Sequence, residues 1–281
     1  MSREFTLALC QTKSFIEKEQ SREMAASYVG KAADNGASVV SLPEMWNCPY
    51  SNSYFKKFSE PETGESVGFM SDLARKNKIY LIGGSIPECE ADNGKTQGDG
   101  DAIYNTCFVF DPKGNIIGKH RKIHLFDISI KGGMTFMESK TLSAGDSVTV
   151  VDTEFCKVGI AICYDVRFPK LFNKMAGCLD AELIVLPAAF NMTTGPAHWE
   201  LLMKARALDN QVYFAANSPA RDPNSPYQAF GHSMIVDPWG KICEESDENL
   251  SIIYGKIDLD YVDSVREQIP ISKQNKPDLY R

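Results

Sequence analysis

Short apolar runs rich in valine, isoleucine, leucine and aromatic residues recur along the whole chain, and most are bounded by glycine, proline, asparagine or aspartate. This pattern is typical of β-strands. The predicted strands cover residues 5–11, 38–42, 79–86, 104–110, 148–152, 157–163, 182–186, 212–217, 232–237 and 251–257.

Apolar residues at helical spacing mark further segments between these strands. The predicted helices cover residues 15–34, 66–77, 168–177, 195–209 and 258–268. The first ends at Asn35-Gly36, a plausible helix C-cap, and the fourth begins at Gly195-Pro196, which places proline in the first turn.

The order of these elements mixes helical crossovers with consecutive strands, which does not favour a plain doubly wound parallel sheet. About ten strands would make a wide single sheet, so two packed sheets between layers of helices fit better. The prediction is an α/β fold with two mixed β-sheets. No break in composition, repeat or low-complexity linker divides the chain, so residues 1–281 are expected to form a single domain, with the polar stretch 88–101 as an exposed loop.

Composition and charge narrow the function classes. The chain has 281 residues and a formal net charge of −7, with dispersed lysines and arginines. No basic stripe indicates a nucleic-acid partner, and no basic amphipathic helix or apolar run of ~18 residues indicates a membrane. The N-terminus lacks a signal-peptide pattern. The eight cysteines include no tight Cys-x-x-Cys pair and are predicted to be mostly buried thiols in a reducing compartment.

Cys163 is the first candidate for chemistry, because an apolar run ends there and the turn Tyr164-Asp165-Val166-Arg167 follows at once. A strand end can present a thiol at the sheet edge, and the next turn directs backbone N–H groups beside it, which suits a nucleophile. A buried core cysteine is the alternative and the commonest fate of this residue type in an apolar strand. A histidine-paired thiol is also open, although the chain has only four histidines.

Glu44 follows the strand end Leu42-Pro43, and the aromatic residues Trp46 and Tyr50 come soon after it. Such neighbours can shield a carboxylate and raise its pKa towards the range useful for a general base. An ordinary solvated carboxylate at a strand end is the alternative.

Lys122 lies in the basic run 120–126, where strand alternation would place it on one face with His120 and His124. A solvated basic run is the alternative. The two histidines are four residues apart, but no glutamate lies between them and the segment is not helical, so no metal site is expected. The chain also lacks a phosphate-binding glycine loop, a Gly-x-Ser-x-Gly elbow and zinc spacing.

Together these three segments strongly resemble the catalytic motifs of the nitrilase, or carbon–nitrogen hydrolase, superfamily, whose catalytic set is Glu, Lys and Cys in that order. The matching segments are Leu42-Pro43-Glu44, 120–126 and 162–169. Within the superfamily the chain is most similar to the ω-amidases. This closer resemblance is carried by residues 43–50, 82–88, 104–106, 136–142, 189–199, 209–213, 218–221 and 231–233.

The resemblance covers essentially the whole chain and implies a four-layer αββα sandwich and a homodimer. The chain departs from the family pattern in three places. Its 88–101 loop is longer than usual, one extra residue lies near 177–182, and Met45-Trp46 replaces a more typical pair, so Trp46 is expected to reshape the pocket rim.

By this resemblance, Cys163 attacks the carbonyl carbon of a primary amide and passes through a thioester, and Glu44 carries the thiol proton to the departing ammonia. Lys122 and the backbone N–H of Tyr164 stabilise the oxyanion. Glu138 is implied as a second, supporting carboxylate; its alternative is a surface glutamate in a loop.

The resemblance further implies a small dicarboxylate monoamide as substrate, such as 2-oxoglutaramate or 2-oxosuccinamate. The carboxylate of such a substrate needs a cation on an acidic protein, and Arg167 can supply a bidentate pair. Thr194, at a helix start, is expected to donate a further hydrogen bond. A structural salt bridge is the alternative for Arg167. No metal and no cofactor are expected.

Several alternatives stay open. Nitrilases, carbamoylases and aliphatic amidases use the same three catalytic residues, so only the pocket distinguishes them. A non-catalytic, partner-binding protein on this fold belongs to another class, and a dinucleotide-dependent oxidoreductase is disfavoured by the missing phosphate loop. The composition favours a cytoplasmic location and leaves a mitochondrial one open.

Overall fold

The computed structural model describes residues 3–90, 102–132, 134–225 and 227–279. The strands are β1 (Glu4–Gln11), β2 (Val39–Ser41), β3 (Tyr80–Ile82), β4 (Ile86–Cys89), β5 (Ile103–Phe110), β6 (Ile116–Arg121), β7 (Asp127–Ser129), β8 (Thr135–Met137), β9 (Thr149–Asp152), β10 (Lys157–Ile160), β11 (Leu183–Pro187), β12 (Tyr213–Asn217), β13 (Met234–Val236), β14 (Ile242–Glu245) and β15 (Ser251–Asp258). The α-helices are α1 (Lys18–Asp34), α2 (Asn52–Phe58), α3 (Glu65–Asn77), α4 (Pro169–Gly177), α5 (Gly195–Asn210), α6 (Leu259–Gln268) and α7 (Ile271–Gln274).

The strands form two large mixed sheets and one small hairpin. The first sheet has the order β15-β1-β2-β3-β5-β4, with β6 also paired to β5. Its β1, β2 and β3 run parallel, and β15 is antiparallel to β1. The second sheet has the order β14-β13-β12-β11-β10-β9, with β10, β11 and β12 parallel to one another. The prediction of two mixed sheets is confirmed.

The two sheets pack face to face through one core. Leu9 and Val109 of the first sheet and Ile160 and Phe214 of the second belong to the same buried cluster. A second cluster joins the other face of the first sheet to α1 and α3. Side chains of α4 and α5 cover the second sheet from outside. These layers are helix, sheet, sheet, helix, as the resemblance implies.

Sequence periodicity misjudged several elements. The predicted strand 79–86 is two strands, β3 and β4, because the chain turns at Gly83-Gly84 between them. The strand β14 was not predicted, and of β6 only the last two residues were treated as extended. Both are edge strands with mostly polar and half-exposed side chains that blur the alternation. Within the described ranges, no helix is long and apolar enough to cross a membrane.

Gly84 fixes the segment that presents Glu44. Its φ is +60°, and a Cβ there would lie 2.2 Å from the carbonyl oxygen of Pro43. The same oxygen accepts the backbone N–H of Ser85 at 3.2 Å. Only glycine therefore allows this close approach between the β3–β4 turn and the chain leaving β2.

Replacing this glycine should destabilise the fold. We expect Gly84→Ala to lower the free energy of unfolding by roughly 2 kcal/mol or more, from the unfavourable φ and the clash with Pro43. Gly30→Ala in α1 is the control, because a Cβ there has nothing within 4 Å. It should be neutral or stabilise the helix by about 0.5–1 kcal/mol. Urea unfolding curves measure both variants, and equal effects would contradict this account.

Candidate active site

Cys163 begins a short 3-10 turn, Cys163–Arg167, just beyond the end of β10. Its φ is +46°, in the left-handed region that non-glycine residues rarely adopt. Such a conformation costs on the order of 1–3 kcal/mol and persists only where the surroundings enforce it. The side chain is buried at 3% exposure. Tyr164 follows in the first turn, where backbone N–H groups have no partner within a helix.

Asp165 enforces this turn. Its Oδ2 accepts the backbone N–H of Ile162 at 3.0 Å and lies 3.2 Å from His120 Nε2. Its Oδ1 accepts the backbone N–H of His124 at 2.9 Å and lies 2.8 Å from His124 Nδ1. Burial alone would raise the pKa of this carboxyl, but the hydrogen bonds from the two histidines outweigh it and hold the pKa well below its usual range. Both histidines thus serve Asp165, and the described residues contain no metal-binding group of three or more ligands.

Glu44 lies buried beside the thiol. Its negative charge is close enough to the Cys163 thiol to raise the pKa of that thiol. Oε1 accepts from Asn105 Nδ2 at 2.8 Å and from Lys122 Nζ at 3.1 Å, and Oε2 accepts the backbone N–H of Ala189 at 2.8 Å. Burial raises the pKa of Glu44, and the positive charge of Lys122 offsets part of this rise.

Lys122 follows the end of β6, where its backbone N–H donates to the carbonyl of Asn105 at 2.8 Å. The predicted alternation does not extend past Arg121, because the chain leaves the sheet there. The Lys122 ammonium is fully buried and lies 2.9 Å from Glu138 Oε2 in addition to its contact with Glu44. Burial opposes the charge, yet the two carboxylates raise the pKa of Lys122 well above its usual value. The solvated-run alternative is wrong for this lysine.

Glu138 begins a 3-10 turn just after β8 and has no exposed surface. Its Oε2 accepts the backbone N–H of Phe126 at 2.7 Å, and its Oε1 accepts the hydroxyl of Tyr50 at 2.5 Å. The surface-glutamate alternative is therefore wrong, and Glu138 lies against Lys122.

Two tyrosines and an asparagine complete the cluster. Tyr50 stacks on Tyr227 with the ring centroids 4.5 Å apart, and the Tyr227 hydroxyl donates to the carbonyl of Ala189. Burial raises the pKa of both phenols, so both stay neutral donors. Sequence reasoning noted Tyr50 as a shield for Glu44 but did not assign these hydrogen bonds. In the sequence, only the family motif Tyr104-Asn105-Thr106 indicated that Asn105 belongs to the site, and no sequence feature indicated Tyr227.

Arg167 ends the same 3-10 turn and is half-buried. Its guanidinium lies 5.6 Å from the ring centroid of Tyr164 and 5.4 Å from that of Phe190. One Nη donates to His198 Nδ1 at 3.2 Å. Among the residues that the structure describes, no carboxylate pairs with Arg167, so the alternative of a structural salt bridge is not supported.

Thr194 precedes α5 and is buried. Its hydroxyl donates to Asn191 Oδ1 at 3.3 Å, and the same oxygen accepts the backbone N–H groups of Thr193 and Thr194 at 2.9 Å each. The hydroxyl thus has a local partner, and its predicted donation to substrate stays a prediction.

Trp46 does not lie at the pocket rim, and that expectation is wrong. The side chain is buried among the helices outside the first sheet, and its Nε1 donates to the carbonyl of Gly83 at 2.9 Å. Met45 instead lines a narrow cavity that reaches Glu44, Tyr50 and Tyr227. The exposed loop predicted at residues 88–101 is wrong at its start, because Glu88 and Cys89 are buried in β4. Residues 91–101 lie outside the described residues.

The chain is similar to known proteins of one family. A family model described as carbon–nitrogen hydrolase matches residues 6–267. The protein named omega-amidase NIT2 from Mus musculus is 51% identical over 278 residues, which are 98% of this chain and 96% of that protein. Nitrilase homolog 2 from Dictyostelium discoideum is 52% identical over 267 residues, 94% of this chain and 78% of that protein. The crystal structure of Saccharomyces cerevisiae Nit3, a member of the nitrilase superfamily, superposes with a TM-score of 0.86 at 41% identity and 96% coverage of both chains. The chain belongs to the carbon–nitrogen hydrolase family.

Proposed function

We propose that this protein is a thiol amidohydrolase of the ω-amidase type, which releases ammonia from the terminal amide of small dicarboxylate monoamides such as 2-oxoglutaramate and 2-oxosuccinamate. The observation that carries the proposal is the buried Glu44 carboxylate, which lies 3.1 Å from the ammonium of Lys122 and whose charge raises the pKa of the Cys163 thiol. The relatives named omega-amidase from Mus musculus and Homo sapiens support the amide class.

The protonation of the site favours a base-assisted attack. Burial and the neighbouring charge of Glu44 raise the pKa of the Cys163 thiol well above its usual value, so it is a thiol at rest. Glu44 takes its proton as the S–C bond forms. The proton then passes to the amide nitrogen, the C–N bond breaks, and ammonia leaves a thioester on Cys163. A water that gives its proton to Glu44 hydrolyses the thioester, and Glu44 returns that proton to the sulfur.

Lys122 supplies the fixed charge for the oxyanion, together with the backbone N–H of Tyr164. Each such donor is worth ~3 kcal/mol of transition-state stabilisation. Lysine suits this role, because its raised pKa keeps it charged throughout the proton transfers. Glu138 is a supporting residue that holds the ammonium in place together with Glu44.

Arg167 favours an acid-amide over the amides, nitriles and carbamoyl compounds used by other members of the superfamily. Its guanidinium lies near two aromatic rings without a carboxylate partner in the described part of the chain, on a protein of net charge −7. An anionic substrate would supply the missing charge. Thr194 lies at the start of α5 and is proposed as a further contact to the substrate.

The proposal also covers domain organisation, location and oligomeric state. Residues 1–281 act as one carbon–nitrogen hydrolase domain, which the family match over residues 6–267 supports. A cytoplasmic location is supported by the cysteines, all eight of which are unbridged. A homodimer is supported by α5, where Leu201 and Leu208 expose 70% and 49% of their surface near Trp239, which exposes 49%.

Removal of the thiol tests the reaction. We expect Cys163→Ala and Glu44→Gln to lower ammonia release from 2-oxoglutaramate at least a thousandfold, because each removes a bond-making or proton-transferring group. Cys178→Ala, which changes an exposed cysteine, is the control and should retain full activity. Ammonia release is measured for succinamate, 2-oxosuccinamate, 2-oxoglutaramate, glutamine, a nitrile and a carbamoyl amino acid. Activity retained by Cys163→Ala would refute the nucleophile, and inactivity of the wild type on every compound would favour a partner-binding protein.

The proposed contact between Arg167 and the substrate carboxylate is tested by comparing charged with uncharged amides. Arg167→Ala should raise KM for 2-oxoglutaramate roughly 10- to 100-fold, since a charge-assisted hydrogen bond contributes about 1.5–3 kcal/mol. KM for an uncharged amide of similar length should change little. Arg167→Lys is the control and should recover part of the loss. Equal effects on charged and uncharged amides would show that Arg167 does not bind the carboxylate.

The oligomeric state is tested on α5. Leu201→Glu should shift the protein from dimer towards monomer in light scattering, because it places a charge in an apolar interface. Leu279→Glu is the matched control, since Leu279 is 72% exposed and lies outside α5, at the C-terminal end of the described residues. A wild type that is monomeric at micromolar concentration, or a dimer unaffected by Leu201→Glu, would rule out this interface.

A further inference from the structure

The guanidinium of Arg167 lies near three groups, and one of the three is the imidazole of His198. The ring centroids of Tyr164 and Phe190 lie 5.6 and 5.4 Å away, and His198 Nδ1 lies 3.2 Å from an Nη of Arg167. Arginine has no acceptor atom, so the imidazole must accept in this hydrogen bond. The Nδ1 of His198 therefore carries a lone pair, and its proton lies on Nε2.

The backbone of His198 is fixed by the first turn of α5. Its N–H donates to the carbonyl of Thr194 at 2.9 Å, so the two residues lie one turn apart on the same face of the helix. The next residue, Trp199, is buried and donates its Nε1 to the carbonyl of His232 at 2.7 Å. The imidazole is thus presented to Arg167 from a rigid element, although the side chain itself is exposed.

The hydrogen bond to His198 leaves most N–H donors of Arg167 free to bind a substrate. Arginine offers five N–H donors, and His198 takes one of them. The Nε of Arg167 is buried and has no acceptor among the described residues. The side chain is therefore held in place without its charge being neutralised. A long side chain loses up to about 2 kcal/mol of rotamer freedom when it is fixed, and a side chain already fixed avoids that loss on binding.

We propose that His198 is a positioning residue for Arg167: it fixes the guanidinium in the orientation that binds the carboxylate of the substrate and so contributes to the preference for acid-amides. This inference rests on the proposed role of Arg167. In the described residues His198 contacts Arg167 and not the cluster of Glu44, Lys122 and Glu138, so it acts on substrate affinity rather than on the chemical step.

The test compares His198→Ala with His198→Asn, because the Asn carbonyl oxygen can replace Nδ1 as the acceptor. We expect His198→Ala to raise KM for 2-oxoglutaramate about fivefold, the equivalent of ~1 kcal/mol, with kcat within twofold of the wild type. KM for an uncharged amide should not change. His198→Asn should restore most of the affinity for 2-oxoglutaramate. A purely structural role would instead lower kcat for both substrates and would not be rescued by Asn, and that result would overturn the inference.

A binding measurement keeps the inference separate from the proposed reaction. Calorimetric titration with 2-oxoglutarate gives a Kd that does not depend on catalysis, and it should weaken about fivefold in His198→Ala. In the double variant with Arg167→Ala, the His198 change should add nothing, because both act through one guanidinium. If Arg167→Ala weakens acid binding and His198→Ala does not, the inference fails and the proposed function stands. If Arg167→Ala has no selective effect on acids, both the clamp and this inference fail.

Discussion

The ion cluster of Lys122, Glu44 and Glu138 is the constraint on which the rest of the site depends. All three side chains are fully buried, and removal of each charge from water costs several kcal/mol. One lysine between two carboxylates leaves an excess negative charge, so the cluster also needs neutral donors. Asn105, Tyr50 and the backbone N–H groups of Ala189 and Phe126 supply them. A cluster satisfied in this way has few alternative arrangements, so the three charged side chains are held in one geometry.

The cluster joins parts of the chain that belong to different sheets. Glu44 and Lys122 follow β2 and β6 of the first sheet, whereas Cys163 and Ala189 follow β10 and β11 of the second. The contact between His120 and Asp165 crosses the same boundary. The left-handed conformation of Cys163 is therefore stabilised by contacts to both sheets, and the packing between them places the thiol within reach of the Glu44 charge.

The sequence predicted the parts of this arrangement that depend on local pattern. Apolar runs locate the strand ends at Glu44 and Cys163, and the mixed order of elements predicts two sheets. The burial of Glu138 was not predictable from the residues around it, because Tyr50, which donates to it, lies 88 positions away. Trp46 was misjudged for a similar reason, since its partner is a carbonyl in the turn between β3 and β4. The positions of Glu138 and Trp46 depend on long-range hydrogen bonds, which the periodicity of the sequence does not reveal.

The histidines provide the strongest argument for a carboxylate base in the proposed mechanism. A histidine-paired thiol was open from the sequence, and each of the four histidines has a partner elsewhere. His120 and His124 bind Asp165. His198 binds Arg167, and His232 lies 3.4 Å from Glu245. The groups that act on the Cys163 thiol are instead Glu44, Lys122, Glu138 and the backbone of Ala189. Burial also raises the pKa of that thiol, which is a second argument against a thiolate–imidazolium pair. Glu44, whose charge acts on the thiol, is the proton acceptor in the proposed mechanism.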